Sequence, residues 1–140
     1  MRGLSLVKEL KQILFFPEHI SLIIKSKLPV IKGDQTKLQQ LFQNLISNAV
    51  KFIDKDRGLI EIDVIDKKSF YEFSVKDNGI GIEPKYHEKI FKIFHSLNRS
   101  KESTGIGLSI VKKIVDLHDG NIWLKSKPGL GTTFFFSLKK

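Results

Sequence analysis

The sequence predicts a two-layer α/β sandwich in which helices cover one face of a mixed sheet. Two long segments repeat apolar residues at three- and four-residue spacing, the pattern of a helix with one buried face. Shorter segments rich in β-branched and aromatic residues lie between and after them, as strands do. Several neighbouring strands are joined by turns too short for a parallel crossover, so part of the sheet is antiparallel.

Leu4 to Phe16 is expected as a short helix ended by Pro17, because proline disfavours helix at the residue before it. Ile20 to Lys27 (ISLIIKSK) is a β-branched strand, and Asp34 after Gly33 is a good helix N-cap. From Asp34 to Phe52 runs the clearest helix, with Leu38, Leu41, Phe42, Leu45, Ile46, Ala49 and Val50 on one wide apolar face. Two strands follow, Leu59 to Ile65 and Phe70 to Asp77, divided by a turn at Asp66-Lys67-Lys68. A short helix is expected over Glu83 to Phe94 behind Pro84, then a polar loop from His95 to Thr104. Gly105 to His118 is the second amphipathic helix, with Leu108, Val111, Ile114 and Val115 inward and Gly120 just past its end. Strands Asn121 to Ser126 and Thr132 to Leu138 close the chain around a Pro-Gly-Leu-Gly turn.

At 140 residues the expectation is a single domain, with residues 1–19 as helix and lead-in and 20–138 as the core. The chain has no cysteine, which excludes disulfides and thiolate metal sites. No apolar run approaches the roughly 20 residues of a membrane span and no signal peptide is evident, so no direct membrane insertion is expected. A cytoplasmic setting follows, either free or as the cytoplasmic part of a membrane-bound sensor. The net charge of +9 favours a polyanionic partner: nucleic acid, an anionic membrane, a nucleotide or an acidic protein. The basic residues are spread along the chain rather than gathered in one arm, which argues against nucleic acid.

Asn44, Asn48 and Lys51 stand at spacings of four and three on the long helix, so they share a side. Asparagine is a poor mid-helix residue. The trio reads either as a solvated polar face or as oxygen donors for a hard cation beside a phosphate-binding lysine. In the strand ending at Asp77, Tyr71, Phe73 and Val75 alternate with polar residues, and Asp77 has the inward parity. An inward carboxylate needs a partner. The following Asn78-Gly79-Ile80-Gly81-Ile82 is either a tight turn or a backbone that a ligand can approach closely. Thr104-Gly105-Ile106-Gly107-Leu108, at the head of a helix, is a phosphate site or an unliganded N-terminal loop. Thr132, like Asp77, is polar at the end of an apolar row that continues with Phe134, Phe136 and Leu138. The histidines His19, His87, His95 and His118 are scattered without metal-ligand spacing.

Taken in this order, the segments resemble the ATP-binding catalytic domain of sensor histidine kinases, within the Bergerat-fold superfamily of gyrase B, Hsp90 and MutL. NLISNAVKF (44–52) is similar to the N box, and DNGIGI (77–82) to the first glycine box. IFKIF (90–94) is similar to the F box, TGIGL (104–108) to the second glycine box and GLGTTF (129–134) to the third. The resemblance implies ATP and Mg²⁺ as cofactors, with Asn48 as metal ligand, Asn44 near the phosphates and Lys51 contacting them. It implies that Asp77 accepts the adenine amino hydrogen beside Thr132 and a water, while Gly79 and Gly81 let adenine approach. Thr104, Gly105, Gly107 and Leu108 would hold the phosphates, the glycines through their amides. The stretch 95–104 would be a lid from which Arg99 reaches the γ-phosphate.

The implied function is transfer of the γ-phosphoryl group to a histidine on a separate dimerisation domain, with a response regulator receiver domain as indirect partner. The alternative is a non-catalytic ATP-binding regulatory module. Ser103 replaces the glycine that usually opens the second glycine box, and Lys92-Ile93 replaces the acidic-proline pair of the F box. No histidine has the context of a phospho-accepting residue, so the histidine domain is expected to be absent from this chain. Asn44 stands where ATP-hydrolysing relatives hold a glutamate base, which points away from efficient hydrolysis.

Overall fold

The computed structural model describes residues 3–5, 18–87, 90–91 and 104–140. Its main sheet has five strands: β2 (Ile20–Ile24), β4 (Gly58–Asp66), β5 (Phe70–Asp77), β6 (Ile122–Lys127) and β7 (Gly131–Lys139). Their order is β2-β4-β5-β7-β6, with β2 parallel to β4 and every other pairing antiparallel. The parallel pair is joined through helix α1 (Gln35–Phe52), the long connection that parallel pairing requires. A second, two-stranded ladder pairs β1 (Gly3–Ser5) with β3 (Val30–Lys32). Helix α2 (Thr104–Leu117) packs beside α1, which gives the expected sandwich.

Helix α1 begins where its cap predicts: the Asp34 carboxylate accepts from the Lys37 amide at 3.1 Å. Its apolar stripe, Leu38, Leu41, Phe42, Leu45, Ile46 and Ala49, is buried. From α2, Leu108, Val111, Ile114 and Val115 enter the same core. The sheet answers with Ile60, Ile62, Phe73, Val75, Phe134 and Phe136. Phe42 points its ring edge at Phe73 (5.5 Å, 81°) and Phe136 (5.2 Å, 69°), which stack on each other at 5.1 Å. These are the favoured offset and edge-on geometries of aromatic quadrupoles.

The N-terminal helix expected from Leu4 is not there at its start, because Gly3–Ser5 form a strand paired with Val30–Lys32. The rest of that predicted helix, 6–17, lies outside the described residues. β2 stops at Ile24 rather than Lys27: Ser26 gives its hydroxyl hydrogen to Asp63, and Leu28 turns into the core. Of the helix expected over Glu83 to Phe94, the described part opens as a 3-10 turn at Pro84–Tyr86, with His87 N bonding Pro84 O and Ile90 N bonding Tyr86 O, both at 3.1 Å; residues 88–89 and 92–94 lie outside the described residues. The His87 ring bonds back to the Ile82 carbonyl at 2.8 Å, which holds this turn close to its own entry. Among the described residues, no helix is long and apolar enough to cross a membrane.

Phe42 joins both layers, so Phe42→Ala should lower unfolding free energy by about 3–5 kcal/mol. Lys113→Ala, on the exposed side of α2, should change it by no more than about 0.5 kcal/mol. Urea denaturation of the two variants beside wild type checks the contrast.

Candidate functional site

Asp77 is the last residue of β5, placed between Ile60 of β4 and Thr132 of β7. Its alternation with Phe73 and Val75 turns the side chain inward, and it is 4% exposed. Oδ1 accepts from the Gly79 amide at 2.8 Å. Burial pushes the carboxyl above its usual pKa, while the Gly79 and Thr132 amides and the charge of Lys55 oppose that shift. The carboxylate therefore sits partly desolvated, with backbone amides converging on it.

Thr132 begins the apolar row of β7 and is 5% exposed. Across the ladder stands Ser126 of β6, whose Oγ lies 2.7 Å from Thr132 Oγ1. Ser126 Oγ also accepts from the Ile82 amide at 2.7 Å and lies 2.9 Å from the Gly131 carbonyl. One hydroxyl thus joins the loop after β5 to the turn before β7.

Backbone contacts hold this loop so closely that the glycines answer first to the protein itself. A Cβ on Gly79 would lie 2.3 Å from the Phe52 carbonyl, and one on Gly81 would lie 2.2 Å from that of Lys127. Gly81 also has φ +78°, a left-handed conformation that favours glycine. Ile80 N bonds the Phe52 carbonyl at 2.9 Å, which ties the end of α1 to the loop. Lys55 lies just past α1 and donates to the carbonyls of Asn78 (2.5 Å), Gly79 (3.3 Å) and Gly129 (3.4 Å). Asn78 closes the loop onto the start of β4, with Oδ1 accepting from Leu59 N at 2.8 Å and Nδ2 donating to the Arg57 carbonyl at 3.0 Å.

On α1, Asn48 is 4% exposed and Asn44 half-buried, while Lys51 is exposed in the last turn. A cation at a helix C-terminus also complements the helix dipole. Asn48 Nδ2 is buried without a hydrogen-bond partner among the described residues. An unmet buried amide is costly, and rotating the amide by a half-turn exchanges its donor and acceptor ends. The side chain can therefore present an oxygen to a hard cation.

The segment Thr104-Gly105-Ile106-Gly107 is not a loop before a helix but the first turn of α2 itself. The amides of Thr104, Gly105 and Ile106 precede the first intrahelical bond, the position at which helix N-termini attract anions. Leu108, the last residue of the TGIGL segment, puts its side chain into the core at 2% exposure. Arg99 and the 95–103 segment lie outside the described residues.

The structure thus brings Asp77, Gly79, Gly81 and Thr132 together at one sheet end, with Asn48 one turn before the helix end that anchors their loop. Sequence reasoning missed Ser126, Lys55 and Asn78. Ser126 carried a usable signal: with Ile122 and Leu124 it forms an inward row ending in a polar residue, as Asp77 and Thr132 do. Lys55 carried none, because its three bonds go to carbonyls brought near by the fold. The described histidines have structural settings: His87 and His118 bond backbone carbonyls and His19 is exposed.

A family model described as histidine kinase-, DNA gyrase B-, and HSP90-like ATPase matches residues 33–140. The phytochrome-like protein Cph1 of Synechocystis sp. is 46% identical over 113 residues, covering 79% of this chain and 15% of that protein. The sensor histidine kinase WalK of Bacillus subtilis is 40% identical over 113 residues, covering 77% of this chain and 18% of its own. The chain therefore spans less than a fifth of the length of these two relatives. Among solved structures, the catalytic domain of histidine kinase ThkA superposes with a TM-score of 0.74 at 27% identity, covering 96% of this chain and 84% of that one.

Two results should follow from this geometry. Gly81→Ala meets both the Lys127 carbonyl and a left-handed φ, and should cost more than about 2 kcal/mol. Gly129→Ala shares a positive φ of 83° but meets nothing within 4 Å, and should cost only about 1 kcal/mol, as thermal melts can resolve. For Asp77, the folded pKa lies above the unfolded value, so its ionised form opposes folding at neutral pH. That burden lifts as pH falls through the folded pKa toward the unfolded value near 3.8. Asp77→Asn should accordingly melt higher than wild type at pH 7 without ligand, with the gap closing by about pH 4. A gap independent of pH would show that burial of the charge is not the cause.

Proposed function

The chain belongs to the histidine kinase-, DNA gyrase B- and HSP90-like ATPase family, and from that premise we propose that it is the ATP-binding catalytic domain of a two-component sensor histidine kinase. The buried carboxylate of Asp77, at the strand end beside Thr132, carries this reading. An adenine amino group is a donor of the right kind for such a site, and a carbonyl at the same position is not. Asp77 and Thr132 then recognise the base, with a bound water between them. The amides at the head of α2, together with Lys51, receive the phosphates.

Mg²⁺ fits the unpartnered Asn48 amide, with Asn44 one turn earlier on the same side of the helix. When bound, the metal supplies charge neutralisation to the phosphate oxygens. The chain's own contribution is positioning: the base is fixed at the sheet end, and the phosphates extend along α1 toward the first turn of α2. Phosphoryl transfer demands little covalent chemistry from the protein. An imidazole nitrogen on a separate histidine-bearing dimerisation domain attacks the γ-phosphorus, and the bond to the ADP oxygen breaks. A response regulator receiver domain then takes the group from that histidine. In this reading Arg99 is a contact to the γ-phosphate. No described group stands out as a base for hydrolysis, since Asn44 carries no proton-accepting charge. The setting we assign is cytoplasmic.

Asp77→Ala should weaken ATP binding about ten- to a hundred-fold, because a hydrogen bond to a charged acceptor contributes about 1.5–3 kcal/mol. Asp77→Asn should cost less, since its amide oxygen still accepts one hydrogen. Calorimetry on both variants measures this, with melts to confirm that they fold. Equal ATP affinities in well-folded proteins would remove the adenine pocket. With γ-labelled ATP and Mg²⁺, acid-labile label should appear on an added histidine-bearing dimerisation domain and not on the chain alone. Asn48→Asp should disturb metal dependence and transfer more than binding of adenosine. ATP binding without transfer to any histidine domain offered would favour a regulatory module instead.

A further inference from the structure

We propose that Ser126 determines the choice of nucleobase by fixing the direction of the Thr132 hydroxyl hydrogen, so that the floor of the pocket presents only acceptors. This rests on the reading of Asp77 and Thr132 as the contacts to the base. Ser126 Oγ has three partners: the Ile82 amide at 2.7 Å, the Gly131 carbonyl at 2.9 Å and Thr132 Oγ1 at 2.7 Å. The amide can only donate and the carbonyl can only accept, while the serine hydroxyl carries one hydrogen. All three bonds coexist in one arrangement: Ser126 donates to Gly131, and Thr132 donates to Ser126. Thr132 and Ile82 are 5% and 3% exposed, so water cannot readily replace a lost partner.

With its hydrogen turned toward Ser126, Thr132 Oγ1 shows the pocket only lone pairs. Ionised Asp77, beside it across the ladder, does the same. A purine edge with an exocyclic amino group brings two hydrogens to this pair, directly or through one water. In the same pose, a 6-oxo purine sets the lone pairs of its 6-oxygen against these lone pairs. Ser126 touches the base through neither of these contacts, and acts as a positioning residue through Thr132. Ser126→Ala would free the Thr132 hydroxyl to turn into the pocket or toward Asp77. The first orientation gives a 6-oxo purine a donor, and either one removes an acceptor from the adenine amino group.

The test compares ATP and GTP affinities by calorimetry, with melts, for wild type, Ser126→Ala, Ser126→Cys and Thr132→Val. Ser126→Cys keeps the shape with a weak hydrogen-bonding group, in case the alanine variant does not fold. In both Ser126 variants the ratio of ATP to GTP affinity should fall roughly tenfold or more. A purely structural role for Ser126 would lower the melting temperature and weaken both nucleotides together, leaving the ratio unchanged. Against a Thr132→Val background, Ser126→Ala should leave the ratio where Thr132→Val put it, since its effect runs through that hydroxyl. A wild-type chain that does not bind ATP, or does not prefer it to GTP, would sink the pocket reading and this inference with it. A wild type that discriminates, with Ser126 variants that keep its ratio within twofold, would overturn the role of Ser126 alone.

Discussion

The carboxylate of Asp77 ends the central strand inside the protein, where water cannot fully solvate it. Burying a charge is tolerable only if donors converge on it, and here they come from the turn that the glycines make possible. The amide of Gly79 reaches back to the carboxylate, while the Phe52 carbonyl fills the space its side chain would have taken. Lys55 then collects carbonyls from two separate turns, which brings positive charge near Asp77 and pins the rim. Remove the buried charge, and the tight loop, the lysine staple and the serine bridge lose their common purpose.

Helix α1 serves this arrangement and the core at the same time. One face carries Leu38, Phe42, Leu45 and Ile46 into the aromatic cluster, and that packing fixes the height of the helix above the sheet. The end of the helix docks on the glycine loop through Phe52 and Ile80. Asn48, one turn earlier, therefore faces an environment set by the core and not by its own neighbours. The cost of its unpartnered amide is carried by that packing, as strain at ligand sites commonly is.

Much of this was legible because it depends on periodicity. Parity placed Phe73, Val75 and Asp77 on the inner face of β5, and Phe134, Phe136 and Thr132 on that of β7, where the structure puts them. The stripe of α1 and the inward residues of α2 follow from helical spacing in the same way. What failed was local. Leu4 and Ser5 read as helix, yet they lie in a strand whose partner, Val30–Lys32, is distant in sequence. Pro84 suggested a helix start, and the chain does coil there, opening as a 3-10 turn with the His87 ring bonded back to the Ile82 carbonyl. Lys55 and Asn78 act on backbone groups, and such contacts leave no residue pattern to read. The glycines were legible as places of close approach, but what approaches them is the protein's own backbone as much as any ligand.

The central claim is that the desolvated Asp77 carboxylate waits for a hydrogen-bond donor supplied by the nucleotide. Carbon-13 NMR of the Asp77 side chain, titrated with and without bound Mg-ATP, tests it most directly. The account predicts a pKa raised from the ordinary aspartate value in the empty chain, because burial is the largest influence there. ATP should then move it downward, as the adenine amino group donates to the charged form. An unchanged or higher value in the complex would mean that the base does not meet this carboxylate, and the account would fail at its centre.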